Sequence, residues 1–211
     1  STGYDGIYLQ TGDVRNRGLE VGLGYDLKIK DKFSWNSYFT MSYNENKIMS
    51  LVEDYINPVT GQREGRSYLE KGGIGGARYI LRTGGTLGDV YASNDFKRDA
   101  DGNLLLDSNG RVSVQNYNNF NDYVKLGSVL PKYNLGWRND FNIGNIGFGA
   151  MLAGRIGGVA ISMTQAALDH YGVSKESAEA RDAGGVNING YRVPAQSYFE
   201  ERGKGRIAQY Y

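Results

Sequence analysis

Apolar and polar residues alternate strictly along the early chain. Between Asn16 and Ile29, the residues Leu19, Val21, Leu23, Tyr25, Leu27 and Ile29 occupy every second position, with Glu20, Gly22, Gly24, Asp26 and Lys28 between them. Period two puts the first set on one side of a pleated strand and the second set on the other, whereas a helix would scatter the six apolar residues around its circumference. Lys30-Asp31-Lys32 reads as a short charged turn. From Phe33 to Asn44 the alternation resumes, with Trp35, Ser37, Phe39, Met41 and Tyr43 on one face and Asn36, Tyr38, Thr40, Ser42 and Asn44 on the other. The two runs predict an antiparallel hairpin. Its strands, at roughly 10–14 residues, are long for a soluble protein.

A second hairpin is predicted over Lys132–Phe141 and Ile146 to about Ile156, turning at Asn142-Ile143-Gly144-Asn145. Tyr133, Leu135, Trp137 and Phe141 line up, with Asn139 interrupting; Ile146, Phe148, Ala150, Leu152 and Ile156 line up on the return. Each hairpin has a short turn at one end and a long excursion at the other. From Lys47 to about Leu130 the pattern becomes irregular. Turn signals recur there at Pro58-Val59-Thr60-Gly61, Lys71 to Gly76, Asp101-Gly102-Asn103 and Ser108-Asn109-Gly110, with short candidate strands at Tyr79–Leu81, Leu104–Leu106 and Val112–Val114. Beyond the second hairpin, Thr164–His170 and Ser174–Arg181 predict a helical insert, with Ser174 as N-cap, Glu176 and Glu179 early in the helix and Gly184-Gly185 ending it. A small hairpin over Val186–Val193 would turn at Asn189-Gly190. Arg206 to Tyr211 resembles the start of another strand.

An apolar strand face can pack inward in a soluble sandwich or face lipid in a barrel. Gly18, Gly22 and Gly24 all sit on the non-apolar face, which suits the lumen of a large barrel filled by water or a plug. Mean hydropathy is −0.51, and no apolar run reaches the roughly 18 residues that a membrane helix requires. Alternating barrel strands escape that test. The 31 Gly, 17 Tyr and 3 Pro suit turns, strands and interfacial aromatics. The expected fold class is all-β: an antiparallel transmembrane β-barrel segment with long extracellular loops and a short helical insert, spanning residues 1–211. Outer-membrane barrels keep short turns on the periplasmic side, so Lys30–Lys32 would face the periplasm and the 47–130 excursion the exterior. With 24 Lys+Arg against 23 Asp+Glu there is no case for a nucleic-acid partner. The absence of Cys removes disulfides and thiolate metal sites. The opening Ser1-Thr2-Gly3-Tyr4 has no signal-peptide pattern and reads as a mature or excised segment.

Candidate chemistry is sparse. Asp99, Asp101, Asn103 and Asp107 place oxygens at alternating positions, as calcium loops do, but the bidentate Glu at position 12 is missing and the Gly falls at position 4. The alternative is two β-turns joined by a short strand. Gly72-Gly73-Ile74-Gly75-Gly76 lacks the spacing of a phosphate cradle and reads as flexible loop. His170 is the single histidine, so no multi-histidine metal site can form, and no nucleophile motif accompanies it; no catalytic residue, metal or cofactor is expected. Trp35, Phe39, Tyr43, Trp137 and Phe148 would form lipid-facing surface and interfacial girdles. Among the excursion aromatics Tyr55, Tyr68, Tyr79, Tyr91, Tyr117, Phe120 and Tyr123, the run Gln115–Tyr123 alternates planar amides with rings. Asn116, Tyr117, Asn118, Phe120 and Tyr123 are therefore the ligand-binding candidates, with a solvated loop as the plain alternative.

Several stretches together resemble the C-terminal part of SusC/RagA-like TonB-linked outer-membrane transporters. Asn16-Arg17-Gly18-Leu19-Glu20 is similar to that family's strand opening, and Phe33-Ser34-Trp35 with Ser42-Tyr43-Asn44 to the return strand. Gly84–Tyr91, Gly127 with Pro131-Lys132-Tyr133, Gly154 to Gly158, Tyr171 to Arg181 and Pro194 to Tyr198 follow in order. The resemblance implies a plugged barrel of about 22 strands, of which this chain would supply roughly 6–8 strands without the plug, the TonB-contacting segment or the closing strands. It also implies active import of glycans or oligopeptides, a SusD-like surface lipoprotein as partner, the TonB complex engaged through the absent plug, and outer-membrane lipid around the wall. The other readings are a soluble β-rich carbohydrate-binding or adhesion module, and a passive porin-type or autotransporter-like barrel.

Overall fold

A computed structural model of the chain describes residues 12–30, 32–57, 59–205 and 209–210. Along the chain lie β1 (Asp13–Ile29), β2 (Phe33–Ser50), β3 (Val52–Ile56), β4 (Arg63–Arg66), β5 (Tyr68–Ile74), β6 (Ala77–Arg82), β7 (Asp89–Ala92), β8 (Asn94–Phe96) and β9 (Val114–Asn116). After one 3-10 turn at Phe120–Asp122 come β10 (Val124–Ser128), β11 (Tyr133–Ile143), β12 (Ile146–Ile156), α1 (Met163–His170), α2 (Lys175–Asp182), β13 (Val186–Ile188), β14 (Tyr191–Val193) and α3 (Ala195–Gly203). They fall into two compact units: residues 1–68, 82–87 and 128–158, and residues 69–81, 88–127 and 159–211. The architecture is mostly antiparallel β with short helices.

The first unit is built on a four-stranded antiparallel sheet in the order β1-β2-β11-β12. Both predicted long hairpins form, and they join edge to edge through β2 and β11. Each is longer than its alternation alone indicated. β1 begins at Asp13 and β2 runs to Ser50; β11 and β12 extend to Ile143 and Ile146, leaving Gly144-Asn145 as the turn. The register aligns like with like. Leu19, Tyr43, Tyr133 and Ile156 form one cross-sheet row, Leu23, Phe39, Trp137 and Leu152 another, and Leu27, Trp35, Phe141 and Phe148 a third. The opposite face carries rows such as Glu20-Ser42-Asn134-Arg155 and Asp26-Asn36-Asp140-Gly149. A one-residue slip would exchange the two faces wholesale, so the pattern itself fixes the pairing. The glycines of the polar face make room: a Cβ on Gly22 would sit 2.7 Å from the Tyr38 hydroxyl, whose ring lies across Gly22 and Gly24.

The second unit corrects the picture of the 47–130 excursion. Much of that stretch is ordered into short strands, β3 to β10, rather than irregular loop, because it carries its own buried residues. β10-β7-β6-β5 form a sheet over a cluster of Ala77, Val90, Ala92 and Leu126, with Tyr79, Val124 and Ile161 against it. Gly72 and Gly73, expected in a flexible loop, lie within β5. Of the candidate short strands, Tyr79–Leu81 lies inside β6, while Leu104 and Leu106 make only isolated bridges, to Arg98 and Val112. A second cluster joins Phe96, Val112, Ile188 and Val193. Among the described residues four strands are long, β1, β2, β11 and β12, and those of the excursion run to seven residues at most.

The helical insert forms as expected. Ser174 caps α2 by accepting from Ser177 N, and Asn189 and Gly190 take the positive φ values that a tight hairpin between β13 and β14 demands. α3 was not foreseen. Behind the helices the Asp169 carboxylate is fully buried; it accepts from Gln165 Nε2 at 2.9 Å and from the Tyr210 hydroxyl at 2.8 Å, and lies 3.6 Å from Arg202, which also pairs with Glu176 at 2.6 Å. The expected strand start at 206–211 lies mostly outside the described residues; Gln209 and Tyr210 are not in a strand.

Candidate functional site

Two surfaces carry the chemistry the sequence pointed to. The first is the apolar face of the four-stranded sheet. Leu23 is 63% exposed, Phe148 65% and Leu152 65%, although each sits in a continuous apolar row. A soluble sheet would bury that side; large contiguous apolar patches mark an interaction or membrane surface. Aromatic pairs knit the rows together: Tyr25 meets Trp35 edge-on at 5.4 Å, Trp35 stacks on Phe141 at 5.8 Å, and Tyr43 tilts against Tyr133 at 5.1 Å.

Two polar residues interrupt this face, Ser37 and Asn139, and they are directly opposite each other across β2 and β11. Neither is orphaned. The Trp35 indole N–H donates to Asn139 Oδ1 at 3.0 Å, and the Trp137 indole N–H donates to Ser37 Oγ at 3.0 Å. The pairs run diagonally in opposite senses. Two indoles that each need an acceptor, and two polar groups that each need a donor, thus satisfy one another on an otherwise apolar surface. The sequence placed all four residues on that face; the diagonal pairing became visible only once the cross-strand register was known.

The second surface is the run from β9 to β10. Asn116 ends β9, opposite Asn94, and Tyr117 N donates to Ser93 O at 2.9 Å. Asn119 caps the 3-10 turn by accepting from Asn121 N at 2.9 Å, and the rings of Phe120 and Tyr123 lie 5.1 Å apart within that turn. The five candidates therefore come together on one short segment. Asn118 and Asn116 are exposed, and Tyr117, Phe120 and Tyr123 half-buried. Burial raises the Tyr117 phenol above its ordinary value, helped by the Asp95 and Asp122 carboxylates. Two other excursion aromatics are spoken for: Tyr91 is buried and Tyr79 packs on the core cluster. Tyr55 donates to Glu64 Oε2 at 2.9 Å in the β3–β4 hairpin.

The calcium-like run resolves into the two-turn arrangement. Asp99 accepts from Asn103 N at 2.8 Å and Asp101 N at 2.9 Å, and Asp107 accepts from Asn109 N at 2.8 Å and Arg111 N at 2.9 Å. The hydrogen bonds from Asn103 lead those that hold the Asp99 carboxyl below its usual range. Among the described residues no group of three or more His, Asp or Glu gathers as a metal site. The reading missed α3 and the Asp169 cluster. Pro194 followed by Ala195, Gln196, Glu200 and Glu201 was the available helix signal, but nothing at fixed spacing links Asp169 to Tyr210.

No protein-family model matches the chain. TonB-dependent receptor P3 of Formosa agariphila is 25% identical over 94% of this chain, and TonB-dependent receptor P39 of the same organism is 31% identical over 43% of it. The chain spans 21% of the length of the first relative and 7% of the second. A solved structure described as the RagAB peptide transporter aligns with 72% of this chain and 16% of its own, at 15% identity and a TM-score of 0.44. At that level the fold has to be read from this chain's own geometry. The named relatives are receptors and not enzymes, in keeping with a chain whose residues offered no catalytic motif. Along nearly its whole length the chain is similar to a stretch of one TonB-dependent receptor, and over 43% of it to a stretch of a second.

Proposed function

We propose that residues 1–211 form part of the wall and outer loops of a transmembrane β-barrel in the outer membrane of a Gram-negative bacterium, serving TonB-energised nutrient import. The observation that carries this reading is the exposed apolar face of β1-β2-β11-β12, with its polar interruptions closed by Trp35 and Trp137. A lipid-facing wall demands both properties: apolar side chains outward, and no unsatisfied polar group among them. The likeness to TonB-dependent receptors supports the energy source. On this reading the further strands that close the barrel, and the plug that engages the TonB complex, lie elsewhere in the protein. A SusD-like surface lipoprotein is the partner, and a glycan or oligopeptide the cargo. Asn116, Tyr117, Asn118, Phe120 and Tyr123 are the contacts we assign to cargo on the outer side.

The test is fractionation of cells producing the full protein. Recovery from the outer membrane only with detergent, together with a heat-modifiable mobility on SDS gels, is the expected result. Release in soluble form without detergent would overturn the wall assignment. Uptake that persists after TonB is removed would leave a wall but no energised importer.

A further inference from the structure

The apolar face of the long sheet stops before its strands do. Toward the charged turn it runs to Ile29 opposite Phe33, and toward the excursion its last apolar row is Leu19, Tyr43, Tyr133 and Ile156. β1 and β2 continue past that row in unbroken register, with Arg17 opposite Glu45 and Arg15 opposite Lys47. Positions two apart share a face, so these four charged residues stand on the same side of the sheet as Leu19 and Leu23. The other side is occupied differently at this level: Asn46 Nδ2 donates to Asn16 Oδ1 at 2.6 Å, and Ile48 is fully buried.

The height of this charged ledge follows from strand geometry. From Ile29 to Leu19 the apolar band extends roughly 33 Å along the strand, or about 25 Å in height at a tilt near 40°. That matches the lipid-facing band of an outer-membrane barrel. Arg17 and Glu45 then lie about 5 Å beyond the band, and Arg15 and Lys47 about 10 Å beyond it. Headgroups add on the order of 5–7 Å to each side of the hydrocarbon, and long Arg and Lys side chains reach across the difference.

The charges do not satisfy one another. Arg15 and Lys47 are a like-charge pair directly opposite across the strands, an arrangement that disfavours the sheet. Opposite residues hold their Cβ atoms roughly 5 Å apart, and the next pair on that face follows about 7 Å along, so three cations share one small area with a single acid. Among the described residues, Arg15, Arg17, Glu45 and Lys47 make no side-chain hydrogen bond and no ion pair. Arg15 is half-buried, and the other three are exposed.

We propose that this ledge binds the headgroup phosphate of an anionic lipid in the leaflet on the excursion side. The proposal rests on the wall reading. Two guanidinium groups and an ammonium around one point match the oxygens of a phosphate, which arginine forks grip in pairs. Directly beneath lie Tyr43 and Tyr133, tilted against each other at 5.1 Å, in the row that would meet acyl chains. A phosphorylated lipid engages ledge and row together, whereas free phosphate engages the ledge alone. A zwitterionic headgroup brings an ammonium that three cations repel.

The experiment measures binding of fluorescent lipid A, a phosphorylated and acylated disaccharide, to the full protein in neutral detergent. The same lipid stripped of its phosphates, phosphatidylcholine and inorganic phosphate are the comparisons. Lipid A is expected to bind, and loss of its phosphates should weaken binding at least tenfold. Neither phosphatidylcholine nor inorganic phosphate at equal concentration should displace it. Arg15→Gln, Arg17→Gln and Lys47→Gln combined should weaken binding at least tenfold, while Lys28→Gln with Lys30→Gln, at the opposite end of the sheet, should change it less than twofold. Glu45→Gln should tighten it several-fold, a gain that misfolding does not produce. The proposal is overturned if the stripped lipid binds equally well, if phosphatidylcholine or inorganic phosphate displaces lipid A, if the two sets of variants weaken binding alike, or if Glu45→Gln fails to tighten it. Extraction separates the two readings. A protein released without detergent sinks the wall and the ledge with it, whereas one that needs detergent but binds lipid A independently of Arg15, Arg17 and Lys47 sinks the ledge alone.

Discussion

At the scale of single residues, the two indole bonds on the exposed face give the sharpest expectations. On the proposed lipid-facing reading, Asn139→Ala removes the acceptor for the Trp35 N–H where no water replaces it, and should lower stability by about 1–3 kcal/mol in a urea titration of the protein in lipid. The double change Trp35→Phe with Asn139→Leu removes donor and acceptor together, and should restore most of that loss. Equal losses in the single and double variants would show that the bond contributes nothing. In the other unit, Asp169→Ala strips the carboxylate that Tyr210, Gln165 and Arg202 share; it should cost about 3 kcal/mol, read as an earlier melting transition. The Tyr210 phenol is raised above its ordinary value of 10.0, first by burial and then by its bond to Asp169. A raised acid contributes fully below the unfolded value and loses its contribution above it, because the unfolded chain releases the proton first. Stability should therefore hold up to pH ~10 and fall beyond it, and Tyr210→Phe should flatten that alkaline limb.

At the scale of elements, the long strands were legible because their faces differ at every step. Leu19 to Ile29 cannot be placed on a helix, and Phe33 to Tyr43 answers it residue for residue. The ends were less legible: Lys47, Ile48 and Met49 break the alternation, yet β2 continues because Asp13–Gly18 pairs with it. The excursion was misread for a related reason. Its strands are three to seven residues long, too short for periodicity to register, and their burial comes from partners far away in sequence, such as Phe96 and Val193. The candidate ligand run was legible as composition, since Tyr117, Phe120 and Tyr123 do share one segment, whereas the Asp169 cluster depends on α3 folding back against α1. That closure has its own test. A Cβ on Gly203 would overlap His170 N and Ala166 O, backbone atoms of α1 that cannot yield by rotating a side chain. Gly203→Ala should cost about 1–3 kcal/mol and lower the helical melting temperature, while Gly110→Ala, in an open turn, should be felt only through its φ of 72°.

At the scale of the whole molecule, the two faces of the sheet should respond oppositely to charge. Leu152 and Met151 are neighbours in β12, both largely exposed, and they point to opposite sides. On the proposed wall reading, Leu152→Lys on the apolar side should cost up to about 2–4 kcal/mol and reduce the amount assembled in the outer membrane. Met151→Lys, beside Arg138 in the polar-side row Gly24-Tyr38-Arg138-Met151, should assemble normally. Equal tolerance at both positions would remove the membrane from the account. The pairing of β2 with β11 also says something about order in time. Asn134 and Ser42 meet across that seam although 92 positions separate them. Each hairpin can zip locally within microseconds, but drawing the seam together from an unstructured intervening chain of this length costs on the order of 4 kcal/mol in closure entropy. An intervening stretch that condenses around Val90 and Leu126 first shortens the effective tether. Maturation would then proceed from two independent ribbons to a joined wall, with the excursion serving as the scaffold for assembly before it serves as anything else.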